Sequence, residues 1–188
     1  MTTVHDATLA ILLLLFDEPV MLNTVRSDYV EVQVGVLLGD GWRHVGQWDG
    51  WDYETGDGDE LVRLEVKAGA AKQVWEQKVP SVCSLDVKPR TGYYRAGAEW
   101  VEGAGRNADL YVLAWHDRYD DADQRDEGQW IYYVLAATEL PDSHSIGLVR
   151  LDALVHQERA KRVGASDLRG AVDAVAKEIL TRRREAPH

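Results

Sequence analysis

The chain carries a single cysteine, Cys83, in 188 residues. A lone thiol excludes an internal disulfide and any cysteine-rich zinc module. It suits a reducing compartment, so a cytoplasmic location is expected. Positive charge is scarce as well: 21 Lys and Arg stand against 32 Asp and Glu, for a formal net charge of -11. That balance opposes tight nonspecific binding to nucleic acid, which depends on neutralising phosphates with basic side chains. It leaves room for a local basic cleft, because net charge does not say where charges lie. Long apolar runs are missing. The run Ala7 to Phe16 is too short to span a bilayer. It follows Asp6 with no basic residue before it, which makes a poor signal peptide. A buried helix ending near Asp17-Glu18-Pro19 is expected there, since the residue before proline avoids the helical region. No membrane partner is expected. The histidines His5, His44, His116, His144, His156 and His188 show no His-x-x-x-His spacing, so structural roles are expected for all of them. There is no internal repeat and no low-complexity segment.

The length fits one domain with a sizeable core, and 45% hydrophobic and 28% charged residues are ordinary for a globular chain. Residues 24–38 suit a helix with Asn23 as N-cap, an apolar stripe of Val30, Val34, Leu37 and Leu38, and a stop at Gly39-Asp40-Gly41. Glu31 flanks that stripe. A strand is expected within Trp42–Gln47, a short helix over Ala70–Gln77, and a strand over Val82–Val87. Residues 91–107 read as glycine-rich and irregular. Ala108–Trp115 and Trp130–Ala136 read as strands, with an acidic loop from Asp117 to Gly128 between them. Ile146–Leu151 reads as a short edge strand, and Asp167–Leu180 as a terminal amphipathic helix capped by Ser166. A frayed basic end follows at Arg182–Arg184. The order predicts an α/β fold with a mixed central sheet flanked by helices.

The most informative stretch runs from Trp51 to Lys67. Asp57-Gly58 between two β-prone runs signals a hairpin. Side chains alternate along a strand, so Glu65 and Lys67 share one face while Leu64 and Val66 take the other. A turn centred on Asp57-Gly58 places Asp52 opposite Arg63, and one centred on Gly58-Asp59 places it opposite Glu65. Both registers put Asp52 on the Glu65/Lys67 side. Two carboxylates and an ammonium then converge, a set able to hold a divalent metal and activate a water. Asp49 competes with Asp52, but it would face the opposite side of a continuous strand.

These pieces resemble the PD-(D/E)XK nuclease superfamily, also called restriction-endonuclease-like, and in particular its small stand-alone bacterial members. The matching parts are the helix with Glu31, then Trp51-Asp52, then Leu64-Glu65-Val66-Lys67, then Gln73 with Trp75, then the strand at Ala108-Asp109-Leu110-Tyr111-Val112. The resemblance covers residues 23–180, with 1–22 as an N-terminal helical extension and 181–188 as a basic tail. Trp51 stands where the motif's nominal proline would be. The resemblance implies a restriction-endonuclease-like core, Mg²⁺ (or Mn²⁺) dependence and phosphodiester cleavage in DNA. It implies Asp52 and Glu65 as metal ligands and Lys67 as the group that orients or deprotonates the attacking water. Glu31 would be an accessory carboxylate and Gln73 a supporting residue.

The acidity suggests recruitment to DNA by a partner protein, a dimer cleft, or a restricted basic patch, for which Lys72, Lys78, Lys88 and Arg90 are candidates. A homodimer is the default assembly. Trp75, Trp115 and Trp130 are expected in the core, leaving Trp48 and Trp51 for a substrate role. The alternatives are an inactive binding or regulatory subunit on the same fold, and an acidic DNA mimic or inhibitor.

Overall fold

A computed structural model describes residues 4–46, 49–95 and 99–185. Gln47, Trp48 and His188, and residues 96–98 within the glycine-rich stretch, lie outside the described residues. Two helices come first, α1 (Val4–Phe16) and α2 (Asn23–Leu38). Strands β1 (Arg43–His44), β2 (Tyr53–Thr55) and β3 (Val62–Ala70) follow. Next come β4 (Leu85–Asp86), β5 (Arg90–Arg95), β6 (Glu99–Gly105), β7 (Leu110–His116) and β8 (Trp130–Ala136). The chain closes with β9 (Ser145–Ile146), α3 (Leu148–His156), β10 (Lys161–Val163) and α4 (Leu168–Glu185).

Six strands form one mixed sheet in the order β1-β2-β3-β7-β8-β10. Among the described residues only β3 and β7 run parallel, with Glu65 beside Tyr111 and Lys67 beside Leu113. The other neighbours are antiparallel. β4 pairs with β9, and β5 with β6, as separate two-stranded ladders. The expected mixed sheet with flanking helices is what the chain forms.

Alternation along the central strands divides the core in two. Leu64, Val66, Leu110, Val112, Tyr132 and Val134 pack on one side with Val30, Val34 and Leu38 of α2 and Val172 of α4. Tyr111, Leu113, Trp115, Tyr133 and Leu135 pack on the other with Leu85, Ile146, Leu151 and Leu154. Each buried aliphatic or aromatic side chain contributes roughly 1.5–3 kcal/mol, so the two layers fix which face of β3 is polar. Glu65 and Lys67 stand on the second side, away from α2 and α4. Close backbone approach fixes α2: a Cβ on Gly35 would come within 2.2 Å of the Tyr53 hydroxyl, which donates to Glu31 O at 3.0 Å.

Several local expectations are overturned. The apolar stretch 7–16 is helical and ends at Phe16 as expected, but it is not buried: Leu13 is 63% and Leu14 82% exposed. Asn23 is inside α2 and Leu22 holds the cap position, with no side-chain cap. The helix expected over 70–77 does not form. There β3 continues to Ala70, and Gln77 takes over the local backbone: its Oε1 accepts from Gln73 N at 2.7 Å, and its Nε2 donates to Ala71 O at 3.2 Å. Such side-chain bonds compete with the helical ladder.

Residues 91–107 hold the hairpin β5–β6 rather than irregular chain. The strands expected at 42–47 and 82–87 shrink to Arg43–His44 and Leu85–Asp86. The expected edge strand at 146–151 is mostly helix α3, because Leu151 and Leu154 recur at a helical spacing and are buried. A turn over Ala165–Asp167 precedes α4, and Ser166 does not cap it. The basic end is docked, not frayed. Arg183 bonds to Leu61 O at 2.6 Å and Asp109 at 2.5 Å, while Arg182 reaches Glu139 at 3.2 Å. Among the described residues no helix is long and apolar enough to cross a membrane.

Candidate active site

The antiparallel register pairs Tyr53 with Leu64, Glu54 with Arg63 and Thr55 with Val62. This excludes Asp52 opposite Arg63, and one further step along the ladder leads from Asp52 to Glu65. The connection is a loop containing a short turn over Gly58–Glu60, not a two-residue turn. At Trp51-Asp52 the chain bends. Trp51 joins the cluster on the Glu65 side and Tyr53 the cluster on the α2 side. Asp52 sits at this crossing. Its amide donates to Leu64 O at 2.9 Å, and its Oδ2 accepts from Val66 N at 2.6 Å. The carboxylate therefore caps the β3 backbone between Glu65 and Lys67 in sequence. Lys67 Nζ donates to Glu65 Oε1, and both side chains are largely buried.

Burial and crowding set the charges here. Asp52 is pushed up to about 6, chiefly by desolvation; Lys67 opposes this, Glu31 adds to it, and the Val66 amide and His44 oppose it. Glu65 is pushed up to about 7 by burial and then by the Asp52 charge, against Lys67 and Arg90. Two buried carboxylates with raised proton affinity form a site short of positive charge. Desolvation pulls Lys67 down, but Glu65 and Asp52 outweigh it and hold its pKa above the ordinary lysine value. Of the two roles expected for Lys67, orienting or deprotonating the water, this arrangement favours the first, because its neighbours stabilise the ammonium.

The two supporting residues are placed differently. Glu31 Oε1 meets His44 Nε2 at 2.7 Å, so its carboxylate is engaged by a histidine for which only a structural role was expected. It still acts on Asp52 through its charge. Gln73 is buried elsewhere. Its Oε1 accepts from Arg26 Nη1 at 3.2 Å and its Nε2 donates to Ala70 O at 2.6 Å. Arg26 is 4% exposed, its Nε has no partner, and desolvation lowers its pKa to about 10. Gln73 thus serves a buried guanidinium, and no contact ties it to Glu65 or Lys67. Trp75, expected in the core, is 53% exposed, whereas Trp115 and Trp130 are buried.

Glu65 and Lys67 open into a cleft of about 560 Å³ shared with Asp49, Asp86, Lys88, Arg90 and Trp100. Asp49 therefore lies on their side of the sheet and not on the opposite side as strand parity had it, because the chain bends at Trp51-Asp52. Lys88 and Arg90 thus border the candidate centre. Lys72 does not: it lies over the Tyr119 ring at 4.4 Å. Trp51 is buried against Tyr93, with ring centroids 5.4 Å apart, which removes it as a surface for substrate. The aromatic wall comes instead from Tyr93, Tyr94 and Trp100 of the β5–β6 hairpin. Sequence reasoning missed it. The available signal was two aromatic-bearing β-prone runs, Tyr93-Tyr94 and Trp100-Val101, around the small residues at 96–98.

Among the described residues no three carboxylate, imidazole or thiolate groups form a ready metal cage. The donor set still suits a hard cation. Mg²⁺ takes one or two carboxylates and keeps several waters, and Asp52 and Glu65 supply that number of oxygen donors. No protein-family model, no curated protein and no solved structure matches this chain.

Proposed function

We propose that this chain is a metal-dependent phosphodiester hydrolase, a nuclease of the PD-(D/E)XK type acting on DNA. One observation carries the reading: Asp52 and Glu65, from adjoining strands, are buried together with raised proton affinities beside the Lys67 ammonium. Buried carboxylates with raised proton affinity concentrate where a cation or a reaction uses them.

Asp52 and Glu65 would hold Mg²⁺ or Mn²⁺. When bound, that ion supplies a Lewis acid for a phosphoryl oxygen and lowers the pKa of a water. The Val66 amide fixes the Asp52 carboxylate, so its donor oxygens are oriented in advance. Lys67 stays protonated, orients the attacking water and offsets charge as it builds on the phosphoryl oxygens. Lys88 and Arg90 on the cleft border attract the phosphate. Glu31 adds negative charge behind Asp52, and Gln73 supports the fold rather than the reaction.

Incubating the purified protein with plasmid, linear and single-stranded DNA and with RNA, in Mg²⁺ or Mn²⁺, tests this. Cleavage by the wild type and a loss of at least 100-fold in Lys67→Ala are expected. Equal cleavage by both proteins, or none on any substrate, removes the assignment. The second reading is an inactive binding subunit on this architecture. It is favoured by the engagement of Glu31 with His44, which leaves Asp52 and Glu65 as the two carboxylates beside Lys67 rather than three.

A further inference from the structure

The hydrolase reading leaves one wall of the cleft without a task. Tyr94 and Trp100 line the cleft that holds Glu65 and Lys67, yet they remain 43% and 48% exposed. They are held in place. Their rings meet edge to face at 5.2 Å. The Trp100 indole rests on Gly92, where any Cβ would come within 2.5 Å of the ring. The neighbouring Tyr93 anchors the hairpin inward on Trp51. Positive charge lies on the same border, where Arg90 is tethered to Asp86 at 2.8 Å.

Exposed aromatic faces, fixed beside cations in a groove, are the combination that binds single strands. Each base offers a π-face to stack, and the cations follow the phosphates. Size agrees: about 560 Å³ is within the roughly 300–1,000 Å³ of clefts for small ligands. A cleft of that size suits a few nucleotides, and the base faces of a duplex are already stacked on one another. A chain with net charge -11 is also a poor partner for the many phosphates of a duplex.

We propose that the substrate is single-stranded nucleic acid, with bases stacked on Trp100 and Tyr94 and the flanking phosphate at Lys88 and Arg90. The hairpin then delivers the backbone to Glu65 and Lys67. This rests on the hydrolase reading and names its substrate class.

Fluorescence anisotropy tests it, with short labelled oligo-dT, oligo-U and a duplex of the same length. Ca²⁺ replaces Mg²⁺ so that binding is read without cleavage. The wild type should bind both single strands more tightly than the duplex. Trp100→Ala should weaken single-strand binding roughly 5–150-fold, the range for one stacked base. Trp100→Phe should recover most of the loss, which a merely structural role would not allow, and circular dichroism checks that each variant is folded. Duplex binding as tight as single-strand binding, or a folded Trp100→Ala that binds like the wild type, overturns the proposal. Adding Mg²⁺ to the same mixtures separates the two claims. Tight single-strand binding with no cleavage defeats the hydrolase reading and supports the binding proposal. Duplex cleavage without single-strand binding does the reverse.

Discussion

The Asp52 carboxylate accepts a 2.6 Å hydrogen bond from the Val66 amide. This one bond turns a side chain at a bend into part of a constellation with Glu65 and Lys67. It also holds a charge where folding would prefer none. Asp52→Asn keeps the shape and an amide oxygen to accept from Val66, but removes the buried charge and its repulsion of Glu65. Near neutral pH the variant should be more stable by about 1–3 kcal/mol, the scale of a shift of a pKa unit or two, while losing hydrolysis. Urea denaturation beside a cleavage assay measures both. A less stable Asp52→Asn with intact activity contradicts the site.

Gln73 separates a structural role from a catalytic one. It is the hydrogen-bonding partner of the buried Arg26 guanidinium. Gln73→Leu should cost about 3–5 kcal/mol, because it strands a buried charge. Arg26→Met with Gln73→Leu should recover much of that, since apolar replacements of similar volume suit a buried site. Single-turnover cleavage per folded molecule should change little. A large activity loss at unchanged stability would return Gln73 to the reaction.

His116 sets a pH dependence. It is buried, its Nδ1 has no partner, and its Nε2 lies 3.2 Å from Asp123 O. Desolvation lowers its pKa, so protons bind the unfolded chain more readily than the folded one. Its contribution is therefore full above the unfolded value, about 6.5, and is lost as pH falls below it. The stability difference between wild type and His116→Gln should shrink from pH 8 to pH 5.5. A difference that grows on acidification contradicts this. The comparison is made against the variant because Asp52 and Glu65, with raised pKa values, weaken stability in the opposite direction as pH rises.

The parts of this architecture that were legible in the sequence have strong periodicity. The α2 stripe, the near-continuous apolar runs of β7 and β8, and the alternation of β3 each announce a burial pattern that tertiary packing then keeps. Glu65 and Lys67 were legible for the same reason, since strand parity carries over from sequence to sheet, whereas Asp52 reaches them through the bend at Trp51-Asp52 and its bond to the Val66 amide. What failed depended on single side chains. Gln77 rewires the segment after β3, so Gln73 and Trp75 never share a helix with a face toward the site. The β5–β6 hairpin was hidden because its exposed face carries aromatic residues among glycines, which read as loop. Nothing in the pattern around His44 shows that it meets Glu31 across the gap between α2 and β1.

The central claim is that Asp52 and Glu65 together hold one divalent cation. Mn²⁺ titration followed by electron paramagnetic resonance tests this most directly, with a thermal scan in parallel. The wild type should bind one ion per chain with its melting temperature raised, by about 1.4 kcal/mol of stability at tenfold over Kd. Asp52→Asn and Glu65→Gln should each abolish both effects while remaining folded. Mn²⁺ binding of equal strength in the wild type and both variants would contradict the account.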